Sequence, residues 1–186
     1  RYEFATAQFY EGQIYSSGGM ELAGRSLGIL GFGAAGQQLA RRAKAFEMRV
    51  HGIDIRNIEK EILDEIKPDF MGGPEDLDDM VSNCDFISVH LHLNKDTRHI
   101  INKRLIDLMK PTAYMINVSR GGLIDEEALY EALSQNRIAG AGLDAFAQEP
   151  PDHTLPVYKL PNVLVQPHTV ASTDGLAIKR SNFAID

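Results

Sequence analysis

An arginine, a glutamate and a histidine, three groups with complementary chemistry, each follow a short apolar run of the sequence. Arg120 lies in INVSRGG (116–122), Glu149 in the loop after AGAGLDAF, and His168 in QPHTVAST. A guanidinium offers a planar fork of donors that fits a carboxylate, and a histidine exchanges a proton near neutral pH. A neighbouring carboxylate favours the protonated imidazole. These residue types therefore predict acid–base chemistry on a small anion.

A glycine-rich segment earlier in the chain has the pattern that binds a dinucleotide. GILGFGAAG contains Gly31, Gly33 and Gly36 with the spacing G-x-G-x-x-G, after an apolar run and before a helical pattern. These glycines permit a tight turn, the approach of a pyrophosphate to the backbone, and close packing of the helix on its strand. The helix N-terminus offers free N–H groups and a positive dipole end to the phosphates. A plain glycine-rich turn is the alternative.

An acidic residue stands where a dinucleotide site requires one. Asp54 follows the next apolar run, 18 residues after Gly36, which is close to the usual spacing in such units. Its carboxylate would accept hydrogen bonds from both ribose hydroxyls and would repel a 2′-phosphate. The sequence therefore predicts NAD(H) in preference to NADP(H), a preference that Arg56 could soften. No metal site is predicted.

Alternating strand and helix patterns must position these residues. Apolar runs predict strands at 27–31, 48–54, 69–71, 86–91, 113–118, 139–144 and 162–165. Helices are predicted at 36–46, at 75–84, from Asn102 to Pro111, from Asp125 onward and at 172–186, and the acidic stretch 57–69 can hold one more. In the first of these helices, Leu39, Ala43 and Phe46 are expected to share the buried face.

The order of these elements predicts an α/β fold, a doubly wound parallel sheet with helices on both faces. The short, nearly all-apolar strands agree with burial of the sheet on both sides. Ligands bind at the carboxyl edge of such sheets. Since Arg120, Glu149 and His168 each follow a strand, we expect them to share that edge with the glycine loop.

The totals fit one globular domain. The chain has 186 residues, of which 44% are apolar and 24% charged. A formal net charge of −7 argues against nucleic acid or an anionic membrane as the main partner. The single cysteine, Cys84, excludes an internal disulfide, is expected in the core, and fits a reducing cytoplasm. No apolar run reaches the length of a membrane span.

Five blocks of the sequence resemble, in order, the NAD-binding domain of the D-isomer-specific 2-hydroxyacid dehydrogenases. They are LAGRSLGILGFGAAG, NCDFISVHLHLNKDTRHIIN, LMKPTAYMINVSRGGLIDEEAL, GAGLDAFAQEP and NVLVQPHTVAST. The resemblance runs from about Gly19 onward, and the spacings of 29 residues from Arg120 to Glu149 and 19 from Glu149 to His168 match the family. It implies a Rossmann-type fold, NAD(H) as the cofactor, and reversible reduction of a 2-oxo acid to a D-2-hydroxy acid by hydride transfer.

The resemblance also implies a role for each matching residue. Arg120 would bind the carboxylate and the carbonyl oxygen of the substrate, and His168 would donate the proton to that oxygen during reduction. Glu149 would pair with His168 and raise its pKa. Asp54 would hold the adenosine ribose, and Asp144 the nicotinamide carboxamide. The other implied cleft residues are Ala34 and Ala35, through their backbone N–H groups at the pyrophosphate, and Leu91, Val118 and Ser119 along the cleft wall.

Other interpretations of the same residues stay open. Arg120 could form a structural ion pair with a helix acid, Glu149 could be a loop carboxylate, and His168 could be a capping residue. His92 stands where most members of the family have proline, and we expect no catalytic role for it. Glu149 argues against formate dehydrogenases, which have glutamine there. Competing functions are a non-enzymatic NAD(H)-binding regulator or corepressor of the same fold and an adenosylhomocysteine hydrolase, and the arginine–glutamate–histidine set favours the dehydrogenase.

Members of this family carry a second domain that recognises the substrate, and we expect this chain to be a fragment without it. The acid is therefore left open among hydroxypyruvate, phosphoglycerate, lactate-like and branched substrates. Segment 1–20 resembles a helix and extended arm that reach across a two-fold axis. We expect Phe4, Phe9, Tyr10 and Tyr15 to be buried in a homodimer, with packing on the chain's own domain as the alternative.

Overall fold

The computed structural model of the chain describes residues 2–14, 18–173 and 175. Within these residues, seven parallel strands form one sheet in the order β3-β2-β1-β4-β5-β6-β7. The strands are β1 (Ser26–Leu30), β2 (Arg49–Ile53), β3 (Phe70–Gly72), β4 (Phe86–Val89), β5 (Tyr114–Asn117), β6 (Gly140–Leu143) and β7 (Val163–Val165). The helices are α1 (Tyr2–Tyr10), α2 (Ala34–Ala45), α3 (Lys60–Ile66), α4 (Leu77–Asn83), α5 (Lys103–Leu108) and α6 (Glu126–Ser134).

The predicted α/β class and the doubly wound parallel sheet are confirmed. The buried side chains form two hydrophobic clusters, one containing Ala40, Ala43 and Val50 and the other containing Met80, Leu105 and Leu129. The first cluster includes residues of α2 and α3, and the second includes residues of α4, α5 and α6. All five residues of β1, which lies between β2 and β4 in the sheet, are buried, as burial on two faces requires.

The register of the sheet brings the strand ends level with one another. Leu30 pairs with Ile53 on one side and with Val89 on the other. The same row continues through Asn117 and Leu143 and ends at Val165. Every residue that directly follows this row therefore begins a loop on one common edge. Strand order reverses between β1 and β4, which is where open α/β sheets place their ligands.

Polar side chains cap two of the helices at their N-termini. The Asn102 side chain accepts the backbone N–H of Leu105 (3.2 Å) at the start of α5. Asp125 does the same for Ala128 (3.1 Å) at the start of α6. Each such cap contributes about 1 kcal/mol. The predicted helix at 75–84 is present, although its first turn, Pro74–Asp76, is a 3-10 turn.

The predicted buried face of α2 is wrong at one position. Gly36, Ala40 and Ala43 are the buried residues of this helix, whereas the Phe46 side chain is 60% exposed. The helix ends at Ala45 and Phe46 is its C-cap, so the side chain leaves the helical direction before it can reach the sheet. Small residues face the sheet instead because α2 packs closely on β1 through Gly36.

The N-terminal helix presents aromatic side chains to solvent. Phe9 is 70% and Tyr10 82% exposed, and their rings meet edge to face. These two rings therefore do not pack on the chain's own domain. Tyr15, the Phe4 side chain and most of the helix predicted at 172–186 lie outside the described residues. In the part of the chain that the structure describes, no helix has the length and apolar character to cross a membrane.

A buried carboxylate ties the amino-terminal edge of the sheet together. Asp85 accepts hydrogen bonds from the backbone N–H and the hydroxyl of Ser26 (both 2.9 Å) and from Lys110 Nζ (3.0 Å). Burial alone would raise the pKa of this carboxyl, but these donors lower it to about 2. The neighbouring Cys84 is fully buried, as predicted, and burial raises the pKa of its thiol to about 11.

We expect Asp85→Asn to lower the free energy of unfolding at neutral pH by about 2 kcal/mol, because an amide cannot accept all three donors. The native pKa of about 2 lies below the value of about 3.9 for an unfolded chain. The contribution of Asp85 is therefore complete above about pH 4 and is lost as the pH falls through about 2. Urea denaturation at several pH values should show the two proteins converge in acid.

Asp78→Asn is the matched control, because Asp78 pairs with Arg104 on the surface and both side chains are more than half exposed. Its effect on the free energy of unfolding should stay within about 0.5 kcal/mol at every pH. Equal effects at the two positions, or an Asp85 effect that does not change with pH, would contradict the role given to Asp85.

Candidate functional site

The glycine loop turns directly over the end of the neighbouring strand. Gly31 follows β1 with φ +98°, and a Cβ there would lie 2.7 Å from the carbonyl oxygen of His90, the residue after β4. A Cβ on Gly36 would overlap the carbonyl oxygen of Gly31. Both positions therefore exclude a side chain for reasons internal to the protein, as the motif predicts.

Gly33 is different, because the protein itself leaves room there. The nearest atom to a Cβ on Gly33 would be Arg56 Nη2, at 3.9 Å. The absence of a side chain keeps this surface open to a ligand that approaches the backbone. Ala34 and Ala35 follow in the exposed first turn of α2, where backbone N–H groups have no partner within the helix. An anionic pyrophosphate fits this combination.

Asp54 sits at the end of β2 beside this loop. One carboxylate oxygen accepts the backbone N–H of Phe32 (2.8 Å) and the other that of Arg56 (2.9 Å). Burial alone would raise the pKa of Asp54, but hydrogen bonds from the Arg56 side chain and from these two N–H groups lower it. Asp54 is thus ionised at neutral pH. It borders a cleft of about 540 Å³ that includes Ile55 and Gly73, a position suited to a ribose.

Arg120 follows β5 on the same edge and is exposed. Its Nη1 donates to the carbonyl oxygen of Ser119 (2.7 Å). Within the described residues its guanidinium forms no salt bridge, which removes support from the structural ion-pair interpretation. The backbone at Arg120 is held by Asn117, whose side-chain amide donates to the Arg120 carbonyl oxygen (2.9 Å). This leaves the guanidinium free to meet a ligand.

Gly121 allows the loop after β5, which carries Arg120, to pack against the loop after β6, which carries Glu149. A Cβ on Gly121 would overlap the backbone of Phe146 and Ala147, so the two loops are in direct backbone contact. Glu149 lies three residues further along the second loop, and Arg120 is close enough to help lower the pKa of its carboxyl. The structure therefore brings these two predicted residues together.

Glu149 and His168 are in contact. Nδ1 of His168 lies 2.8 Å from Oε1 of Glu149, and about two fifths of each side chain is exposed. Burial alone would raise the pKa of Glu149, but the backbone N–H of Phe146 (3.2 Å), His168 and Arg120 together lower it. An ionised carboxylate thus faces the imidazole at neutral pH and orients the ring.

Asp144 holds the loop that carries His168 through hydrogen bonds to its backbone. This side chain follows β6 and its residue is only 2% exposed. Its two oxygens accept the backbone N–H groups of Thr169 (2.8 Å) and Val170 (3.2 Å), directly after His168. His168 itself has φ +55°, a backbone conformation that is uncommon for residues other than glycine. The buried carboxylate therefore secures an unusual turn.

The three residues predicted to line the cleft wall lie at the carboxyl edge of the sheet. Leu91, Val118 and Ser119 are all half-buried at the carboxyl edge. The Ser119 hydroxyl donates to the carbonyl oxygen of Val89 (2.7 Å), which connects the arginine loop to the end of β4. His92 is exposed, and its carbonyl oxygen accepts the Thr97 hydroxyl (2.7 Å) within a surface loop.

The structure adds two positioning residues that the sequence reasoning did not identify in that role, Asn117 and Asp144. The signal was present, because a polar residue that ends an otherwise apolar buried strand needs an internal partner. The partner itself cannot be read from the sequence. For Asn117 it is the carbonyl of Arg120, and for Asp144 it is the chain 25 and 26 residues later.

Comparison with known proteins agrees with this geometry. The family model described as D-isomer specific 2-hydroxyacid dehydrogenase, NAD binding domain, matches residues 1–170. The chain is 44% identical over 156 residues to a D-3-phosphoglycerate dehydrogenase of Methanocaldococcus jannaschii, covering 84% of this chain and 29% of that protein. It is 42% identical over 157 residues to a hydroxypyruvate reductase of Thermotoga maritima, covering 83% and 49%. The chain thus spans half or less of the length of these curated relatives.

Solved structures show the same fold. A D-lactate dehydrogenase from Aquifex aeolicus, complexed with NAD and lactic acid, superposes with a TM-score of 0.84 at 29% identity, over 100% of this chain and 58% of that one. An acyclic imino acid reductase in complex with NADPH and D-Arg gives 0.85 at 33% identity, over 99% and 57%. The family match, the sheet order and the placement of the glycine loop agree. The chain belongs to the family of NAD-binding domains of the D-isomer specific 2-hydroxyacid dehydrogenases.

Proposed function

We propose that the protein acts in the reversible, NAD(H)-dependent reduction of a 2-oxo acid to a D-2-hydroxy acid, with this chain supplying the cofactor domain and the acid–base pair. The observation that carries the proposal is the 2.8 Å contact between His168 and Glu149, on the same edge as Arg120 and the glycine loop. A nucleotide-binding regulator needs only the loop and Asp54. The added pair therefore favours an enzyme.

Arg120 binds the anionic substrate in this proposal. A 2-oxo acid presents a carboxylate and a carbonyl oxygen in one plane, which suits the planar donor fork of a guanidinium. Reduction places negative charge on the carbonyl oxygen, and a fixed cation beside that oxygen stabilises the charge. The Asn117 amide and the contact at Gly121 hold the loop that carries Arg120, so less ordering is required when the substrate binds.

His168 moves the proton. Its Nδ1 is engaged by Glu149, which leaves Nε2 to donate to the carbonyl oxygen during reduction and to accept from the hydroxyl in the reverse direction. Glu149 keeps its negative charge at neutral pH and orients the ring through its contact with Nδ1. Asp144 holds the turn in which the histidine sits.

The cleft residues fit a nicotinamide dinucleotide, which supplies the hydride when bound. The N–H groups of Ala34 and Ala35 would bind the pyrophosphate beside Gly33, and Asp54 would bind the adenosine ribose. Leu91, Val118 and Ser119 would line the cleft. Asp144 would accept the carboxamide through lone pairs that the loop leaves unused. The preference for NAD(H) over NADP(H) rests on the ionised Asp54 carboxylate, which disfavours a 2′-phosphate.

Two further assignments belong to this proposal. The exposed rings of Phe9 and Tyr10 support a homodimer in which the N-terminal helix packs on a second copy. The buried, unpaired thiol of Cys84 fits a reducing compartment such as the cytoplasm.

The proposal predicts that this chain binds NADH but turns over 2-oxo acids poorly by itself, because it spans about half of its relatives' length or less. NADH fluorescence titration measures binding, and loss of NADH absorbance against a panel of 2-oxo acids measures turnover by the chain and by the complete enzyme. Rapid turnover by the chain alone would mean that the substrate site is misplaced. Tight NADH binding with no turnover by the complete enzyme would favour a regulator.

Arg120→Ala should lower kcat/KM for the reactive 2-oxo acid by about 100-fold, since charge-assisted hydrogen bonds to the substrate and its transition state are lost. The dissociation constant for NADH should stay within about twofold of the wild-type value. Arg104→Ala, which removes an exposed arginine outside the site, should leave both constants unchanged. Wild-type kcat/KM in the Arg120 variant would refute the role given to this residue.

Glu149→Gln should lower kcat/KM for reduction by about tenfold while NADH binding is retained. A neutral amide makes a weaker hydrogen bond to Nδ1 than a carboxylate does, so it orients the His168 ring less firmly. Glu127→Gln, on an exposed position of α6, is the control and should leave kcat/KM unchanged. An unchanged kcat/KM in Glu149→Gln, or an equal loss in both variants, would contradict the assignment.

A further inference from the structure

The ribose-binding carboxylate is covered by an arginine of the same chain. Arg56 Nε lies 3.1 Å from Asp54 Oδ1, and Nη2 lies 3.2 Å from Asp54 Oδ2. The guanidinium thus faces both oxygens of the carboxylate. The Asp54 side chain is only 8% exposed, whereas that of Arg56 is 57% exposed. The Arg56 guanidinium therefore lies on the solvent side of the pair and shields the Asp54 carboxylate.

This contact occupies the acceptors that a ribose needs. Each oxygen of Asp54 already takes one backbone N–H, from Phe32 or from Arg56, and the guanidinium adds one donor to each. A carboxylate offers about four lone-pair directions in all. The two ribose hydroxyls can bind Asp54 only if the guanidinium moves away, while the backbone hydrogen bonds can persist.

The charges around the cleft single out the same side chain. Arg56 is the only basic residue among the described residues that line the cleft, which also include the acids Asp54, Glu75 and Asp76. The contact with Asp54 raises the pKa of Arg56, and the nearby Glu59 raises it further. Arg56 Nη2 also lies 3.9 Å from the Cβ position of Gly33. The guanidinium therefore stands between the ribose site and the glycine loop, where a 2′-phosphate would need a cation.

We propose that Arg56 is the residue that sets how sharply this protein discriminates between the two nicotinamide coenzymes. NAD(H) must displace the guanidinium from Asp54, which weakens its binding. NADP(H) instead gains a guanidinium contact at its 2′-phosphate. Arg56 therefore reduces the preference for NAD(H) over NADP(H), which would be larger if Asp54 acted alone. This inference rests on the proposed function only in that the cleft binds a nicotinamide dinucleotide.

The test is isothermal titration of the protein with NAD⁺ and with NADP⁺, which requires no turnover. In Arg56→Ala we expect NAD⁺ to bind about two- to fivefold more tightly, as expected for loss of an exposed ion pair. NADP⁺ should bind about tenfold more weakly, as expected for loss of a charge-assisted contact to phosphate. Arg56→Lys, which keeps the charge without the fork, should fall between the wild type and Arg56→Ala for both coenzymes.

Arg41→Ala is the matched control. Arg41 also forms a two-point pair with a carboxylate, that of Glu65 (2.6 and 2.7 Å), and neither residue lines the cleft. Both dissociation constants should be unchanged in this variant. Equal changes for the two coenzymes in Arg56→Ala, no change for either, or undetectable NADP⁺ binding by the wild type would overturn the role of Arg56. Binding of neither coenzyme by the wild type would instead overturn the proposed function, and this inference with it.

Discussion

The parallel register of the sheet is the constraint on which the site depends. The row from Ile53 through Leu30, Val89, Asn117 and Leu143 to Val165 ends the strands at one level. The loops that follow must then share a narrow edge, and they fit because glycines let two pairs of backbones touch. Gly31 meets the carbonyl of His90, and Gly121 meets the backbone of Phe146. Side chains at these two positions would push apart the loops that carry the dinucleotide motif and the reactive side chains.

Four carboxylates have different roles in this fold because the groups around them differ. Asp85, tied to Ser26 and Lys110, only stabilises the far edge of the sheet. Each oxygen of Asp144 accepts a backbone N–H group of the turn that follows His168. Glu149 faces an imidazole. Asp54 faces the guanidinium of Arg56, which is more than half exposed. The hydrogen-bond donors around each carboxylate, rather than the residue type, decide which of them can serve a reaction.

Much of the fold follows from local patterns in the sequence. Apolar runs and a polar residue that can cap a helix, such as Asn102, are recognised within a few positions of the sequence, so strands, helices and their order were predictable. Phe46 was placed wrongly because a periodic pattern does not reveal where a helix ends, and one residue beyond that end a side chain no longer follows the helical face. The exposed rings of the N-terminal helix show the same limit, because periodicity indicates an apolar face but not what covers it.

The sequence by itself determined the chemistry available to this protein: the glycine loop, the acid at Asp54, and an arginine, a glutamate and a histidine that follow successive strands. Those features depend on residue type and spacing, both of which are given by the sequence. Tertiary structure alone decided which groups meet. It placed Glu149 against His168 and Asp144 against the turn after His168, and both contacts join loops whose paths no local pattern specifies. It also placed Arg56 over Asp54, because the turn after β2 folds the guanidinium back onto both oxygens of the carboxylate.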